Sequence, residues 1–398
     1  MKLAFVIQRY GADIAGGAEA HCRGLVTALR DRHEVEVLTT CARDYITWQN
    51  DYPAGTSQVD GVQVTRYPVT QPRDMRTFAS VSDVVFHEDH TIDDERRWIA
   101  ENGPVCPALI RAIESRRDVD FVVLYSFRYY TAAMGAAAAR GRAVLVPTAE
   151  DDPAVRLPVF ADVFRSARGF LYLTPEERDL IAGVANVAAT PDAIIGSGLT
   201  VPVAMPAAAA RFELPPTYVL YAGRIDRNKG VDTLFRYYQW LVEEWPDAPL
   251  LVLAGHQVLD IPSHPKIRYV GYVSDDEKAA LLSGAAVVLM PSAYESLSIL
   301  VLEAWALGSP VLVNAHCRVL EGQCRRSGGG LYYRDLAEFS AMLKLLLAQP
   351  DLRARLGEAG RAYVSREYSW DIAAERTEQL LGKLRNETME PRVFRPGV

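Results

Sequence analysis

A chain of 398 residues is too long for one ordinary core, so two domains of about 200 residues each are expected. Hydrophobic residues make up 49% and charged residues 23%, which gives both domains material for a core and excludes a disordered chain. A net charge of -7 with no dense Lys/Arg run excludes nucleic acid as a main partner, although a local patch leaves room for peripheral contact with a membrane face.

The five cysteines (Cys22, Cys41, Cys106, Cys317, Cys324) form an odd set without CxxC spacing, which reads as reduced thiols and a cytoplasmic setting. Met1 leads directly into a strand pattern, without the n-region and cleavage site of a signal peptide. No apolar run reaches the length of a membrane span.

In chain order, Leu3–Ile7 is a continuous apolar run of buried parallel-strand type. A glycine-bearing loop follows, Gly11 to Glu19 with Gly16-Gly17, and then a helix with Cys22, Leu25, Val26 and Leu29 on one face. This layout lets backbone amides approach a phosphate or sugar closely, though a mere turn fits the residues equally well. It is not the GxGxxG of dinucleotide enzymes, and the next strand, Val35–Thr40, lacks the terminal acidic residue that holds a nicotinamide ribose. A nicotinamide dehydrogenase is therefore a weak reading.

Residues 41–105 read as less regular, with Tyr45, Trp48 and Tyr52 in a loop, a strand at Val62–Val69 and a mixed charged segment over 71–103. The loop aromatics either stack on an acceptor sugar or anchor the loop. His87-Glu-Asp-His90 matches no strong metal signature and reads as a solvated turn. Alternation resumes with helix 108–117, strand Phe121–Tyr125, helix 131–140 and strand Ala143–Val146, which runs into Glu150-Asp151-Asp152. Acidic residues at the C-terminal end of a parallel strand face the ligand crevice of an open α/β sheet. Strands at Gly169–Thr174 and Ala193–Gly196 and a Pro/Ala-rich linker at 198–216 close the first domain.

The second domain starts with strand Tyr218–Gly223, a loop holding Arg224, Lys229 and Gly230, and a helix that Asp232 is placed to cap. Further strands are expected at Leu250–Gly255, Ile267–Val273, Val287–Met290, Val311–Asn314 and Leu331–Tyr333. The chain ends in a helix at 371–385 and a polar tail. Short apolar strands alternating with helices predict two Rossmann-like, doubly wound parallel-sheet domains facing a cleft. The divisions are 1–200 and 201–370, followed by residues 371–398.

The chemistry concentrates in Pro291-Ser-Ala-Tyr-Glu295-Ser-Leu-Ser298 and the helix after it, which Gly308 and Pro310 stop. Ser298 is placed to cap that helix. Glu303 lies inside it, about 6 Å along the axis from its start at ~1.5 Å per residue, and leans back toward the helix mouth. Free N–H groups at a helix start favour an anion. Two carboxylates beside a phosphate seat suit a sugar nucleotide. The chain has only six lysines, yet places Lys229 beside Arg224 in a loop after a strand, a fork and a point charge suited to a pyrophosphate.

Arg224 and Lys229, with Glu295-x7-Glu303, resemble the donor-site signature of the retaining family 4 glycosyltransferases, which have the GT-B fold. Gly16-Gly17-Ala-Glu19 resembles that family's first glycine loop, and Tyr368-Ser-Trp370 its approach to a last helix that crosses back to the N-terminal domain. The resemblance implies that Arg224 and Lys229 bind the donor pyrophosphate, Glu303 the ribose hydroxyls and Glu295 the hydroxyls of the transferred sugar. It counts Ser298 among the donor-binding residues and gives the amides of Ile299 and Leu300 to the phosphates or sugar, and the main chain of Val273 to the base. Gly16 and Gly17 would close on the same ligand. Glu295-Ser-Leu-Ser298 replaces the family's Glu-Gly-Phe-Gly, and Glu150-Asp151 its His-Asp, so Glu150 offers a negative charge where a histidine is usual.

The donor implied is a UDP- or GDP-sugar, and the acceptor a polysaccharide, lipid-linked or small-molecule glycan near Tyr45, Trp48 and Asp151. No metal and no resident cofactor are expected. The departing phosphate oxygen would take the acceptor's proton on the same face, with Glu295 as covalent nucleophile the lesser route. A nucleotide-sugar epimerase of the same architecture and a non-catalytic sugar-nucleotide binder are the alternatives.

Overall fold

The structure, a computed structural model, describes residues 1–14, 16–200 and 203–387; Ala15, part of the predicted linker and the predicted tail lie outside the described residues. The chain divides into two units, Met1–Gly198 with the segment from Trp370 on, and Leu199–Ser369.

The first unit runs β1 (Lys2–Val6), α1 (Gly17–Leu29), β2 (Glu34–Thr40), β3 (Gly55–Val59), β4 (Val62–Tyr67), α2 (Met75–His87), α3 (Ile92–Asn102), α4 (Pro107–Ser115), β5 (Phe121–Tyr125), α5 (Tyr130–Ala138), β6 (Ala143–Val146), α6 (Pro158–Arg165), β7 (Gly169–Tyr172), α7 (Pro175–Ala185) and β8 (Asp192–Ile194). Its sheet has the order β3-β4-β2-β1-β5-β6-β7-β8. All neighbours are parallel except β3, which pairs antiparallel with β4 at the edge. Strand order reverses between β1 and β5, which places the loops after those strands at the crevice of a doubly wound sheet.

Two predictions for this unit are corrected. Residues 41–105 are more regular than expected: β3 and β4 form a hairpin, and the charged segment folds as α2 and α3. Its helices bury few side chains, Val81 and Val85 in α2 and Trp98 and Ile99 among those of α3, so the apolar stripe is thin. Their start signals were nonetheless present. Asp74 accepts from the Thr77 amide, and Thr91 with Asp94 forms a capping box. The hairpin strand β3 is polar and exposed along most of its length, which hides it from a search for apolar runs. Helices α6 and α7 also escaped the sequence reading, although Thr174-Pro175-Glu-Glu177 is an N-cap with proline at the first helical position.

The second unit runs β9 (Tyr218–Ala222), α8 (Val231–Glu244), β10 (Leu250–Ala254), β11 (Ile267–Tyr269), α9 (Asp275–Gly284), β12 (Val287–Met290), α10 (Ile299–Ala306), β13 (Val311–Asn314), α11 (Arg318–Ser327), β14 (Gly330–Tyr333), α12 (Leu336–Ala348) and α13 (Pro350–Glu367). The sheet order β11-β10-β9-β12-β13-β14 is parallel throughout and reverses between β9 and β12. Strand β11 stops at Tyr269, short of the predicted Val273. The cap of α8 is Gly230, not Asp232, which sits in the first turn of the helix.

The last helix, α14 (Trp370–Asn386), belongs to the first unit and packs on α1, β7 and β8. Its first residue is held by a set of close contacts. A Cβ on either Gly24 or Gly198 would overlap the Trp370 indole. His21 lies with its ring 5.6 Å from that of Trp370. Its Nε2 is 2.8 Å from the Gly196 carbonyl, which can only accept. Burial lowers the His21 pKa to about 4, so the ring is neutral, with its proton on Nε2, and Nδ1 accepts from Tyr125 at 3.1 Å.

Candidate active site

The loops after β9 and β12 flank the reversal in the second sheet, where an open α/β fold collects ligands. Lys229 and Glu295 come from these two loops and meet at 2.7 Å. Gly230 makes the meeting possible. It has φ +69, and a Cβ there would run into the Pro291 carbonyl, so only glycine lets the loops lie side by side. Asp226 organises the first loop, accepting from the Lys229 amide at 2.8 Å and pairing with the Arg224 guanidinium through Nε. Both predicted pyrophosphate cations are thus already engaged with carboxylates.

Glu303 lies on α10 with its side chain only 13% exposed. Desolvation raises its pKa above the ordinary carboxylate value, and Lys278 of α9, at 2.8 Å, opposes that rise. Lys278 also meets Asp275 at 3.4 Å. The sequence reading did not find Lys278 or Asp226. Their partners stand on other elements or are disguised as ordinary loop charges, and no spacing rule connects them.

The start of α10 departs from the expected cap. Ser298 occupies the N-cap position with φ +64 and makes no side-chain cap hydrogen bond. Its backbone is left-handed, whereas an N-cap serine that bonds a first-turn amide is extended. Ile299 and Leu300 supply the first helical amides, which have no intrahelical acceptor. Helix α10 is fixed from behind by Trp305, fully buried, whose Nε1 donates to the Gly329 carbonyl at 2.8 Å. Val273 lies in the loop between β11 and α9, two residues past Gly271, whose carbonyl accepts from the Gly255 amide at 2.9 Å.

In the first unit, Gly16 and Gly17 precede α1 as predicted but have different surroundings. A Cβ on Gly16 would overlap the Glu19 carboxylate, whereas one on Gly17 would meet nothing within 4 Å. Glu19 forms a buried pair with Arg9 at 2.7 Å, and Arg9 reaches the Arg43 carbonyl at 2.8 Å. Tyr45 lies 5.4 Å from the Arg9 guanidinium and is 37% exposed. Trp48 is corrected as an acceptor candidate. It is fully buried and donates from Nε1 to the Asn102 carbonyl at 2.7 Å, so it anchors the loop and offers no face to a ligand.

Glu150 is half-buried in the loop after β6. Beside it, the Glu177 carboxylate accepts from the amides of Ala149 at 2.7 Å and Leu173 at 2.6 Å, fixing this loop from below. Asp152 pairs with Arg128, and Asp151 with Arg156. Ser126 and Thr148, both at positive φ, join side chains at 3.0 Å across the ends of β5 and β6.

Residues 208–363 match the family model described as Glycosyl transferases group 1. The match falls within the second unit, which is similar to this family over most of its length. A curated relative, the GDP-mannose-dependent monoacylated alpha-(1-6)-phosphatidylinositol monomannoside mannosyltransferase of Corynebacterium glutamicum, is 29% identical over 40% of this chain and 45% of its own. The chain spans about half the length of the curated relatives it matches. Among solved structures, sucrose-phosphate synthase from Thermosynechococcus elongatus superposes with a TM-score of 0.69 at 19% identity, over 96% of this chain and 98% of that one. Anabaena HepE in complex with UDP gives a TM-score of 0.68 at 14% identity, over 96% of this chain and all of that one (100%). These likenesses identify the fold as GT-B, two α/β units each built on a largely parallel sheet. No described helix is long and apolar enough to cross a membrane.

Proposed function

We propose that this chain is a retaining glycosyltransferase. It moves a sugar from a UDP- or GDP-sugar to a hydroxyl of a polysaccharide, glycolipid or secondary-metabolite acceptor, and its first unit takes the acceptor. The observation that carries the reading is the pair of cation–carboxylate contacts at the mouth of α10, Lys229 with Glu295 and Lys278 with Glu303. They bring hydroxyl-binding and phosphate-binding groups to one strand-order reversal. The Anabaena neighbour's complex with UDP and the corynebacterial relative's use of GDP-mannose support a nucleotide-sugar donor.

In this reading Glu303 holds the ribose and Glu295 the sugar hydroxyls, while Val273 meets the base through its main chain. Breaking the glycosyl–phosphate bond leaves positive charge on the sugar and negative charge on the pyrophosphate. Arg224, Lys229 and the α10 N-terminus meet the latter, which stabilises the transition state more than the ground state. The departing phosphate oxygen takes the acceptor proton on the face it leaves, so the anomeric configuration is retained. The route needs no metal, because protein cations and amides meet the charge.

The test is acceptor-dependent release of nucleoside diphosphate from a panel of UDP-, GDP-, ADP- and dTDP-sugars, with the product anomer read by NMR. An inverted product rules out the retaining route. Isomerised donor without acceptor points to an epimerase, and binding without release to a non-catalytic binder.

A further inference from the structure

Glu177 is only 1% exposed, and its carboxyl faces backbone amides rather than a cation. It accepts from Leu173 at 2.6 Å and from Ala149 at 2.7 Å, and the amides of Thr174 and Thr148 add to the same set. The bonds to Leu173 and Thr174 belong to the turn that starts α7, where the Thr174 hydroxyl in return accepts from the Glu177 amide at 3.2 Å. The bond to Ala149 does not serve that helix. Ala149 lies 28 residues earlier, in the loop after β6. Only a carboxyl sets two acceptor oxygens side by side, so glutamine, the side chain of the same length, cannot join both segments without leaving an amide unmet.

The main chain that Glu177 holds is strained. Thr148, immediately before Ala149, is a β-branched residue at φ +49, and Ser126, after β5, is at φ +64. Their side chains meet at 3.0 Å. Strained backbone persists only where its surroundings over-determine it, and such backbone gathers at ligand sites. Past Glu150 the loop is fixed again, because Asp152 pairs with Arg128, which also feels the charge of Glu150. Glu150 therefore stands between two anchors, the Glu177 bond to Ala149 on one side and the Arg128 pair with Asp152 on the other.

We infer that Glu177 is a positioning residue for sugar transfer: through the Ala149 amide it fixes the main chain that carries Glu150 at the carboxyl ends of β5 and β6. The inference rests on the reading that counts Glu150 among the donor-binding residues, and it adds the buried group through which that residue is held. Glu177 itself touches no substrate.

A double-mutant cycle tests it. Donor kcat/KM is measured for wild type, Glu150→Ala, Glu177→Gln and the double variant, at a temperature where melting curves show each protein folded. The donor is whichever UDP-, GDP-, ADP- or dTDP-sugar wild type turns over fastest. The expected result is a loss of about 10- to 100-fold in Glu177→Gln, the scale of a misplacement of about 1 Å, with the double variant no slower than Glu150→Ala alone. If folded Glu177→Gln keeps the wild-type kcat/KM and only melts lower, the residue is merely structural and the inference is overturned. Losses that multiply in the double variant overturn it too, because Glu177 then acts through another group. Should Glu177→Gln not fold, Glu177→Asp takes its place: its carboxyl is one methylene shorter, stays near the α7 turn and does not span to Ala149, and the same outcomes decide. Wild-type kcat/KM in Glu150→Ala removes Glu150 from the donor site and overturns the inference while the nucleotide-sugar reading stands. If wild type transfers from none of the four donors, that reading falls and takes the inference with it.

Discussion

Lys229 and Glu295 stand 66 residues apart in the sequence and 2.7 Å apart in the structure. Their contact ties the loop after β9 to the loop after β12, the two loops that flank the reversal of strand order. It also means that a phosphate reaching Lys229 must share it with, or take it from, a carboxylate. In the proposed reading, sugar hydroxyls offered to Glu295 would release the lysine as they bind, and the two halves of a nucleotide sugar would cooperate at one ion pair.

Lys229→Ala is expected to weaken nucleotide-sugar binding by about 10- to 100-fold, the range for a charged hydrogen bond of about 1.5–3 kcal/mol. Glu295→Gln leaves Lys229 to the phosphates, so nucleoside diphosphate affinity holds or rises while turnover falls. Calorimetry with nucleoside diphosphate, set beside steady-state kinetics, distinguishes them. Equal affinity loss in both variants contradicts this division of roles.

Lys278→Met should turn Glu303 into a pH sensor. Desolvation already raises the Glu303 pKa, and Lys278 opposes the rise; without the lysine it climbs further. A carboxyl with a raised folded pKa costs stability as pH rises through the interval between its unfolded and folded values. The variant's deficit in melting temperature against wild type should therefore grow as pH rises above the ordinary carboxylate range. A deficit that stays constant over that rise shows that Lys278 acts only through packing.

Glu177 gives a second pH signature, in the first unit. Burial raises its pKa to about 8, despite the backbone amides it accepts from. Its unfolded value is about 4.3, so its contribution favours the folded state at low pH and is lost as pH rises from about 4 to 8. Glu177→Gln should flatten that slope in melting temperature against pH. It should also cost about 1–3 kcal/mol overall, because an amide cannot accept from the same set of N–H groups with both atoms. An unchanged slope in the variant assigns the pH dependence to another group.

Trp48→Ala is expected to destabilise the first unit by about 3–5 kcal/mol, the usual cost of deleting a buried aromatic core residue. Urea denaturation measures it. A variant of wild-type stability with impaired acceptor use would restore Trp48 to the acceptor site.

The legible part of the fold was its buried parallel sheets. β5, β6, β12 and β13 match their expected bounds because strands covered on both faces read as unbroken apolar runs. α3 and α7 were missed where charge obscured a narrow apolar face, though caps such as Thr91 and Thr174 marked their starts, and α6 was missed because its eight residues are too few to show a helical period. In the site, Arg224, Lys229, Glu295 and Glu303 were legible as residue types after the right strands. Their partners were not, since Lys278 reaches Glu303 from another helix and Asp226 resembles any loop acid. Ser298 had the right position and the wrong geometry, because a cap rule assumes an extended backbone and this residue is left-handed.

Trp370 rests against Gly198, so the chain leaves the first unit and re-enters it at nearly one point. The helix that covers β7 and β8 therefore emerges during synthesis only after every strand of the second unit. The first unit therefore cannot be completed until the whole second unit has been made. Until α14 is made, the apolar surface that Leu380 and Leu384 cover near Gly169 of β7 stays open, and a chain cut short after Ser369 would carry a complete second unit and an aggregation-prone first.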